Sequence, residues 1–359
     1  MNLERILNFA VDNGAADVHL QSASPPMLRL GNQIRLVDGP PLTDEDMLSI
    51  LGSIAPKRFS EDLAGAAVRG LDFSHALPSG VRFRCSAFRT LGRFGITMRV
   101  IRTEIPSIEA LGLPKVVHDI ALARRGLTLV TGTTGSGKST TLASMIDLIN
   151  TNYRTKIITV EDPVEYLHTN KKALISQIEV GGDTTSFDQA LRQALRQDPD
   201  VILVGELRDV ETLRIALRAA DTGHQVFSTV HSANAPQTIE RIIAMFPANE
   251  HKLLLSQLAN SVEAIISQRL ITGHDGKRRP AVEILRGGPV TSKFILEDRL
   301  AELADYVQTG ESGMQNFDQH LLSMYQAEQI SGTEALRWAT SAEALAVAMR
   351  GIKRIGGIA

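Results

Sequence analysis

The chain has 359 residues, which is enough for two or three domains that each bury a core of their own. Its formal net charge is −2 at neutral pH, so contact with nucleic acid or an anionic membrane would need a local basic patch. Cys85 is the only cysteine, which excludes an internal disulfide and a cysteine-based zinc site. Neither a leader pattern nor a stretch of about 18 apolar residues is present, and we predict a soluble, cytoplasmic protein.

The first hundred residues predict a small α+β domain. Helical spacing of apolar residues indicates a helix over residues 3–13, and a second helix runs over 43–54 with Thr43 as its N-cap. Strand patterns cover 17–21, 27–30 and two runs within 81–102, where arginines alternate with apolar residues. We place this domain at residues 1–104, followed by a linker at 105–114.

From about residue 115 the pattern changes to alternating strands and helices, which predicts a parallel sheet with flanking helices. The predicted strands are 156–160, 201–204 and 225–230, and each is a short continuous apolar run that suits burial on both faces. The predicted helices are 186–197 and 210–222, the latter closed by Gly223. Beyond residue 249 the pattern predicts mostly helix, ending in a frayed basic tail at 350–359. The second domain therefore spans 115–359 and is of the α/β class.

A glycine-rich run is the most informative motif. Gly-Thr-Thr-Gly-Ser-Gly-Lys-Ser, at residues 132–139, fits the phosphate-binding P-loop pattern and lies between an apolar strand at 127–130 and a helix. Backbone N–H groups and the helix N-terminus suit a phosphate, and we expect Lys138 to reach the β- and γ-phosphates while Ser139 ligates Mg²⁺. The residues predicted to bind the nucleotide are Gly132, Thr133, Thr134, Gly135, Ser136, Gly137, Lys138, Ser139 and Thr140.

Carboxylates follow two of the predicted strands. Glu206 comes directly after the apolar run 201–204 and Gly205. This is the Walker B position, from which its carboxylate would hold Mg²⁺ through water. Asp200 precedes the same strand and belongs to its other end. Glu161, Asp162 and Glu165 follow the strand 156–160, at the edge where ligands bind in open α/β sheets, and one of them is a candidate to polarise the attacking water.

Two histidines flank the strand at 225–230. His224 and His231 would both lie near the strand's ends beside the nucleotide, where they would sense the γ-phosphate; their spacing of seven residues is poor for a metal site. The alternative is that each is a hydrogen-bonded structural histidine.

These motifs, in this order, resemble the type II/IV secretion ATPase superfamily. Its Walker A, Asp box, Walker B and His box are similar to Thr-Gly-Thr-Thr-Gly-Ser-Gly-Lys-Ser, Thr-Val-Glu-Asp-Pro-Val-Glu-Tyr, Asp-Pro-Asp-Val-Ile-Leu-Val-Gly-Glu and Ala-Asp-Thr-Gly-His-Gln-Val-Phe-Ser-Thr-Val-His. More narrowly, the chain resembles the PilT/PilU-type retraction ATPases of type IV pili. The similarity runs from Ala-Asp-Val-His-Leu at 16–20 to Gln-Asn-Phe-Asp-Gln at 315–319.

The resemblance implies a PAS-like N-terminal domain, a RecA-like ATPase domain and a homohexamer that hydrolyses ATP with Mg²⁺. It assigns Glu165 as the base for water, Glu206 as the Walker B acid, and His224 and His231 as the His-box pair. It also implies arginines that the neighbouring subunit supplies to the phosphates: Arg82, Arg84 and Arg99. The implied partners are further copies of the chain, an inner-membrane pilus platform protein and a paralogous retraction ATPase, with no nucleic acid. The implied location is cytoplasmic and peripheral at the inner membrane.

Two departures from the retraction ATPases bear on the motor's role. PilT proteins carry Ala-Ile-Arg-Asn-Leu-Ile-Arg-Glu where this chain has Val-Thr-Ser-Lys-Phe-Ile-Leu-Glu at 290–297, and an arginine expected near position 92 is shifted to Arg93. An accessory, PilU-like motor is therefore one form of the hypothesis. Two alternatives remain, a pilus-assembly or type II secretion ATPase and a non-hydrolysing ring scaffold.

Overall fold

The computed structural model describes residues 2–31, 33–56, 62–101 and 104–351, and these fall into two compact units. The first unit comprises residues 1–104, 162–167 and 179–185, and the second comprises 105–161, 168–178 and 186–359. The domains predicted from the sequence are continuous stretches, whereas the first unit takes in two short segments of later sequence. Arg102 and residues 352–359 of the predicted tail lie outside the described residues.

The first unit is an antiparallel sheet with helices. Within the described residues its strands have the order β3-β2-β1-β6-β5-β4. The elements are α1 (Leu3–Asp12), β1 (Asp17–Gln21), β2 (Met27–Leu30), β3 (Gln33–Leu36), α2 (Asp44–Ile54), α3 (Leu63–Arg69), β4 (Leu71–Ala76), β5 (Arg82–Thr90) and β6 (Arg93–Val100).

Local signals account for the helices that the sequence predicted here. Helix α1 buries Ile6, Leu7 and Ala10, the same stripe that its spacing indicates. Helix α2 begins with a capping box, in which the Thr43 side chain accepts from the Asp46 N–H and the Asp46 carboxylate accepts from the Thr43 N–H. Both helices and the Thr43 cap are confirmed.

Cys85 lies in the core of this unit. It is on β5, has no exposed surface, and packs with the buried Phe83 and Met98. Burial raises the pKa of its thiol to about 12, because a thiolate would be desolvated there. The thiol is therefore inert at neutral pH, since the thiolate is the reactive form.

The second unit holds a mostly parallel sheet with helices. Within the described residues the strand order is β13-β12-β7-β11-β10-β8-β9, and β12, β7, β11, β10 and β8 are parallel neighbours. The first elements are α4 (Val116–Ala121), β7 (Gly126–Thr131), α5 (Lys138–Asn152), β8 (Lys156–Glu161), β9 (Leu174–Glu179), α6 (Phe187–Ala194), β10 (Val201–Val204), α7 (Val210–Asp221) and β11 (Gln225–Val230). The later elements are α8 (Ala235–Ala244), α9 (His251–Ser261), β12 (Val262–Thr272), β13 (Arg278–Arg286), α10 (Pro289–Leu296), α11 (Leu300–Val307), α12 (Phe317–Gln326), α13 (Gly332–Trp338) and α14 (Ala342–Met349).

The continuous apolar runs of the sequence are the central strands of this sheet. Every residue of β7, β10 and β11 is buried, which explains why these strands show no alternation. The helices predicted at 186–197 and 210–222 are α6 and α7, and Gly223 follows the second with a positive φ of 106°. None of the described helices is long and apolar enough to cross a membrane.

The prediction of a mostly helical C-terminal region is wrong for β12 and β13. These strands form an antiparallel hairpin that pairs with β7 through β12. Strand β12 is buried along most of its length on both faces, and such a run cannot be told from a buried helix by periodicity. The hairpin matters for function because β12 lies beside the strand that leads into the glycine-rich run.

A buried histidine makes the stability of the second unit sensitive to acid. His320 on α12 is 7% exposed, and its Nδ1 accepts a hydrogen bond of 2.9 Å from the Val282 N–H, so this nitrogen must be unprotonated. Burial lowers its pKa to about 4, below the usual 6.5. With the folded pKa depressed, the stabilisation is fully present above pH 6.5 and is lost as the pH falls toward 4.

We expect His320→Asn to reduce this acid sensitivity, because the Asn Oδ1 can accept from Val282 but does not titrate near neutrality. Between about pH 7 and pH 5, the wild-type urea midpoint should fall more than that of the variant, in line with roughly 1.4 kcal/mol per pH unit for one extra proton bound. His168, whose pKa is also lowered to about 4 by burial, is present in both proteins and contributes equally to the two slopes. Equal slopes would contradict the assignment to His320.

Candidate active site

The glycine-rich run forms a tight loop between β7 and α5. Gly132, Gly135 and Gly137 have φ values of 143°, 79° and 91°, a region that disfavours residues with a Cβ. A Cβ on Gly132 would also lie 2.4 Å from the backbone oxygen of Gln268. Helix α5 starts at Lys138, so its unpaired N–H groups and its positive dipole end face the loop. The loop therefore has the shape of a phosphate cradle.

Lys138 brings a positive charge into this loop. Its side chain is buried, and its Nζ donates to the carbonyl oxygens of Gly132 at 3.0 Å and Thr133 at 3.1 Å. Ser139 and Thr140 follow in the first turn of α5 and are partly buried. An ammonium group in this loop, beside the N–H groups that begin α5, is complementary to a polyphosphate.

Glu206 and His231, which the sequence placed at two strand ends, are brought together. The Glu206 carboxylate lies 3.3 Å from His231 Nε2 and 2.8 Å from an Arg208 guanidinium nitrogen. Strands β10 and β11 are parallel neighbours, so their carboxyl ends lie at the same edge of the sheet as the end of β7. Asp200 binds Thr155 and Lys156 at the opposite end of β10, as the sequence indicated.

An open cleft of about 770 Å³ runs from the loop to α8. It is lined by Gly132, Thr133 and Thr134 on one side and by His231 with residues of α8 on the other. Arg241 of α8 donates to the His231 carbonyl oxygen at 2.7 Å and so fixes the turn that carries the histidine. Sequence reasoning missed Arg208 and Arg241, although Arg208 directly follows the Walker B run.

We predicted that both histidines lie beside the nucleotide. For His224 this is wrong with respect to the phosphate loop of its own chain. His224 precedes β11, and its carbonyl oxygen accepts from the N–H of Gly126, the first residue of β7. The loop follows the other end of β7, about 20 Å away at the usual rise per strand residue. The His224 Nδ1 is bonded to the Ala219 oxygen at 3.0 Å, which suits the structural alternative.

The acidic turn after β8 is divided between the two units. Glu161 belongs to the second unit and accepts from the Thr159 hydroxyl at 2.7 Å. Glu165 belongs to the first unit and is exposed. There, a hydrogen bond to Asp17 and, more weakly, the charge of Glu165 raise the pKa of Arg99 above its ordinary value.

The arginines predicted from the alternation lie on one face of the first unit's sheet. Arg84 and Arg99 are directly opposite each other on β5 and β6, and Arg99 is opposite Asp17, whose carboxylate it binds at 2.7 Å. Like charges at paired positions destabilise a sheet, and Asp17 offsets part of that repulsion. Arg82, two residues before Arg84, binds Glu179 at 3.4 Å.

Glu179 was missed at the sequence level, yet it organises the segments that join the first unit. It is 7% exposed and accepts hydrogen bonds from the Ser74 hydroxyl at 2.8 Å and the Val164 N–H at 3.2 Å, in addition to the contact with Arg82. The turn that carries Glu165 is thereby tied to β4 and β5. No pattern of spacing distinguishes Glu179 from other strand-end acids.

The phosphate loop after a central parallel strand, the acid after a neighbouring strand and the sheet order define a RecA-like P-loop fold, which follows a small PAS-like α+β domain. Comparison with known proteins identifies the family. The family model described as "Type II/IV secretion system protein" matches residues 72–319. The chain belongs to this family and groups with its PilT/PilU-type pilus retraction ATPases, which confirms both the resemblance and the fold class.

Three relatives illustrate the similarity. PilT of Pseudomonas aeruginosa, a type IV pilus retraction ATPase, is 41% identical over 336 residues, which cover 93% of this chain and 97% of that protein. The type IV pilus ATPase PilU of the same organism is 37% identical over 351 residues, covering 96% and 90%. A crystal structure of the pilus retraction motor PilT with bound ADP superposes with a TM-score of 0.88 at 39% identity, covering 96% of this chain and 98% of that one.

Proposed function

We propose that this chain is an ATP-hydrolysing motor that powers the retraction of type IV pili. The observation that carries the proposal is the similarity to a retraction ATPase over nearly the full length of both proteins, together with a complete phosphate loop and the Glu206–His231 pair. The reaction is the hydrolysis of ATP to ADP and phosphate, and its free energy drives motion between subunits of a ring.

The phosphate loop binds the triphosphate. Its backbone N–H groups and Lys138 would contact the β- and γ-phosphates, and the hydroxyl of Ser139 would be a ligand of Mg²⁺. The donor set fits this ion, because Mg²⁺ is usually held by one or two protein oxygens together with the phosphates. Glu206 would hold it through water. When bound, the ion neutralises charge on the phosphates.

Glu165 is the proposed base that takes the proton from the attacking water. His231, which contacts Glu206, would sense the γ-phosphate. In a homohexamer, a neighbouring chain would supply Arg82, Arg84 and Arg99 to stabilise the charge of the transition state. The location of these arginines on one sheet face supports this role, because a single surface can then present them together. We still propose His224 as a His-box residue, but one that does not contact the phosphates bound by its own chain.

The proposed partner outside the ring is the inner-membrane platform protein of the pilus, which would hold the motor peripherally at the cytoplasmic side. A paralogous retraction ATPase is a second candidate partner. The departure at residues 290–297, most of which lie in α10, leaves an accessory, PilU-like role as a second form of the proposal.

The test is a count of surface pili on cells that carry only a Lys138→Ala copy of this chain. Excess pili with lost twitching are expected, because pili that cannot retract accumulate. Lys172→Ala, which removes an exposed lysine away from the loop, is the matched control and should leave both unchanged. Bald cells would overturn retraction in favour of assembly, and normal pilus numbers would show that this chain is not the principal motor.

A further inference from the structure

We propose that Gln268 is a positioning residue whose side-chain amide sets the direction of the Gly137 N–H, one of the phosphate loop's backbone donors. Gln268 lies on β12, within the hairpin that the sequence did not predict, and it is 3% exposed. The proposal deepens the nucleotide-binding part of the proposed function and rests on it.

The amide of Gln268 joins the loop to the helix that follows it. Its Nε2 donates to the Ser136 carbonyl oxygen at 2.7 Å, and its Oε1 accepts from the Thr141 hydroxyl at 2.9 Å. Both polar ends of a buried side chain are therefore satisfied by the element that binds phosphate. Strand β12 is anchored to β7 by the pairing of Ser267 with Thr131 and by a 3.0 Å hydrogen bond between their hydroxyls, so Gln268 is held from a rigid base.

Two glycines of the loop pack against the same residue. A Cβ on Gly132 would lie 2.4 Å from the Gln268 backbone oxygen, and a Cβ on Gly137 would lie 2.8 Å from Gln268 Nε2. The glycines thus permit a close approach to β12 as well as to a phosphate. This contact explains why an amide on a neighbouring strand can act on the loop backbone.

The bond to Ser136 fixes an adjacent donor. In a planar trans peptide the C=O and the N–H point in opposite directions. Since Gln268 holds the Ser136 carbonyl, the N–H of Gly137 in the same peptide must point away from Gln268. Gly137 immediately precedes Lys138, so this N–H belongs to the set that meets the phosphate. Gln268 acts through that peptide and does not itself touch the nucleotide.

The test compares ADP binding by three variants of the full-length chain. Gln268→Met keeps the side-chain volume but loses both hydrogen bonds. Thr141→Val loses only the bond between Gln268 and α5. The double variant combines the two substitutions, so that no Thr141 hydroxyl remains without its partner. We expect Gln268→Met and the double variant to weaken ADP binding by roughly ten- to thirtyfold, and Thr141→Val to change it by less than about threefold. Binding is measured by titration with fluorescent ADP at a fixed Mg²⁺ concentration. The midpoint of unfolding is measured separately for each variant in the absence of nucleotide.

A purely structural role predicts a different pattern. In that case the loss of ADP binding would be proportional to the fall in the unfolding midpoint across all three variants, because each of them leaves at least one buried polar group without its partner. Such proportionality, or a change below threefold in Gln268→Met, overturns the proposal. If Gln268→Met does not fold, the double variant gives the same answer. The pilus count with Lys138→Ala tests retraction separately, since its outcome does not depend on Gln268.

Discussion

Replacing Glu165 with glutamine is expected to lower kcat for ATP by about a hundredfold or more, because a positioned general base contributes roughly 10²–10⁴ to the rate. Glutamine keeps the size of the side chain and its hydrogen-bonding oxygen but cannot take a proton from water. ADP binding should change little, since Glu165 is not part of the phosphate loop. Phosphate release over time, with fluorescent ADP titrated in parallel, separates the two effects.

The matched control is Asp162→Asn, an exposed carboxylate of the same acidic turn. It removes the same charge three residues away and should retain activity within a few-fold of the wild type. If both variants lost activity equally, the effect would reflect the loss of negative charge from the turn and not proton transfer. A fully active Glu165→Gln variant would assign the base to another residue.

Lys138→Ala is expected to lower kcat/KM for ATP by about a hundred- to a thousandfold, the usual loss when one donor to a developing charge is removed. The reason lies in the loop, where the ammonium is buried and held 3.0 Å from the Gly132 carbonyl oxygen. A buried ammonium facing phosphate oxygens makes charge-assisted hydrogen bonds that no other side chain of the loop can replace.

Binding and turnover should both fail in Lys138→Ala, which distinguishes it from Glu165→Gln. Fluorescent ADP should bind weakly while the far-UV circular dichroism matches the wild type, and Lys172→Ala should behave as the wild type does. ADP affinity within a few-fold of the wild type would place the phosphates somewhere other than this loop.

The sequence predicted those parts of the fold and site that depend on local patterns. Capped amphipathic helices such as α2 are predicted from residues that lie three or four positions apart in the sequence, and the phosphate loop is a continuous sequence motif. Fully buried strands such as β10 are short enough to be recognised from length alone, whereas the eleven residues of β12 are compatible with helix or strand.

The rest of the site depends on register between distant strands. Gln268 contacts Ser136 across 132 positions of sequence, and Glu179 contacts Ser74 across 105, so no local spacing reveals either pair. The error at His224 has a different origin. His224 precedes β11 as Asp200 precedes β10, and in a parallel sheet such residues lie at the edge opposite to the one that carries the loop.

The inert thiol of Cys85 makes the native chain suitable for a spectroscopic ruler. A dye that reacts with thiolates will not label Cys85, because this side chain is buried and its pKa is about 12. Cys85 therefore does not have to be replaced before labelling. Leu91, fully exposed in the first unit, and Leu253, 60% exposed in the second, offer positions for one introduced cysteine each. Energy transfer between dyes at these two positions would then follow, in real time, how far apart the two units are as nucleotide binds and is consumed.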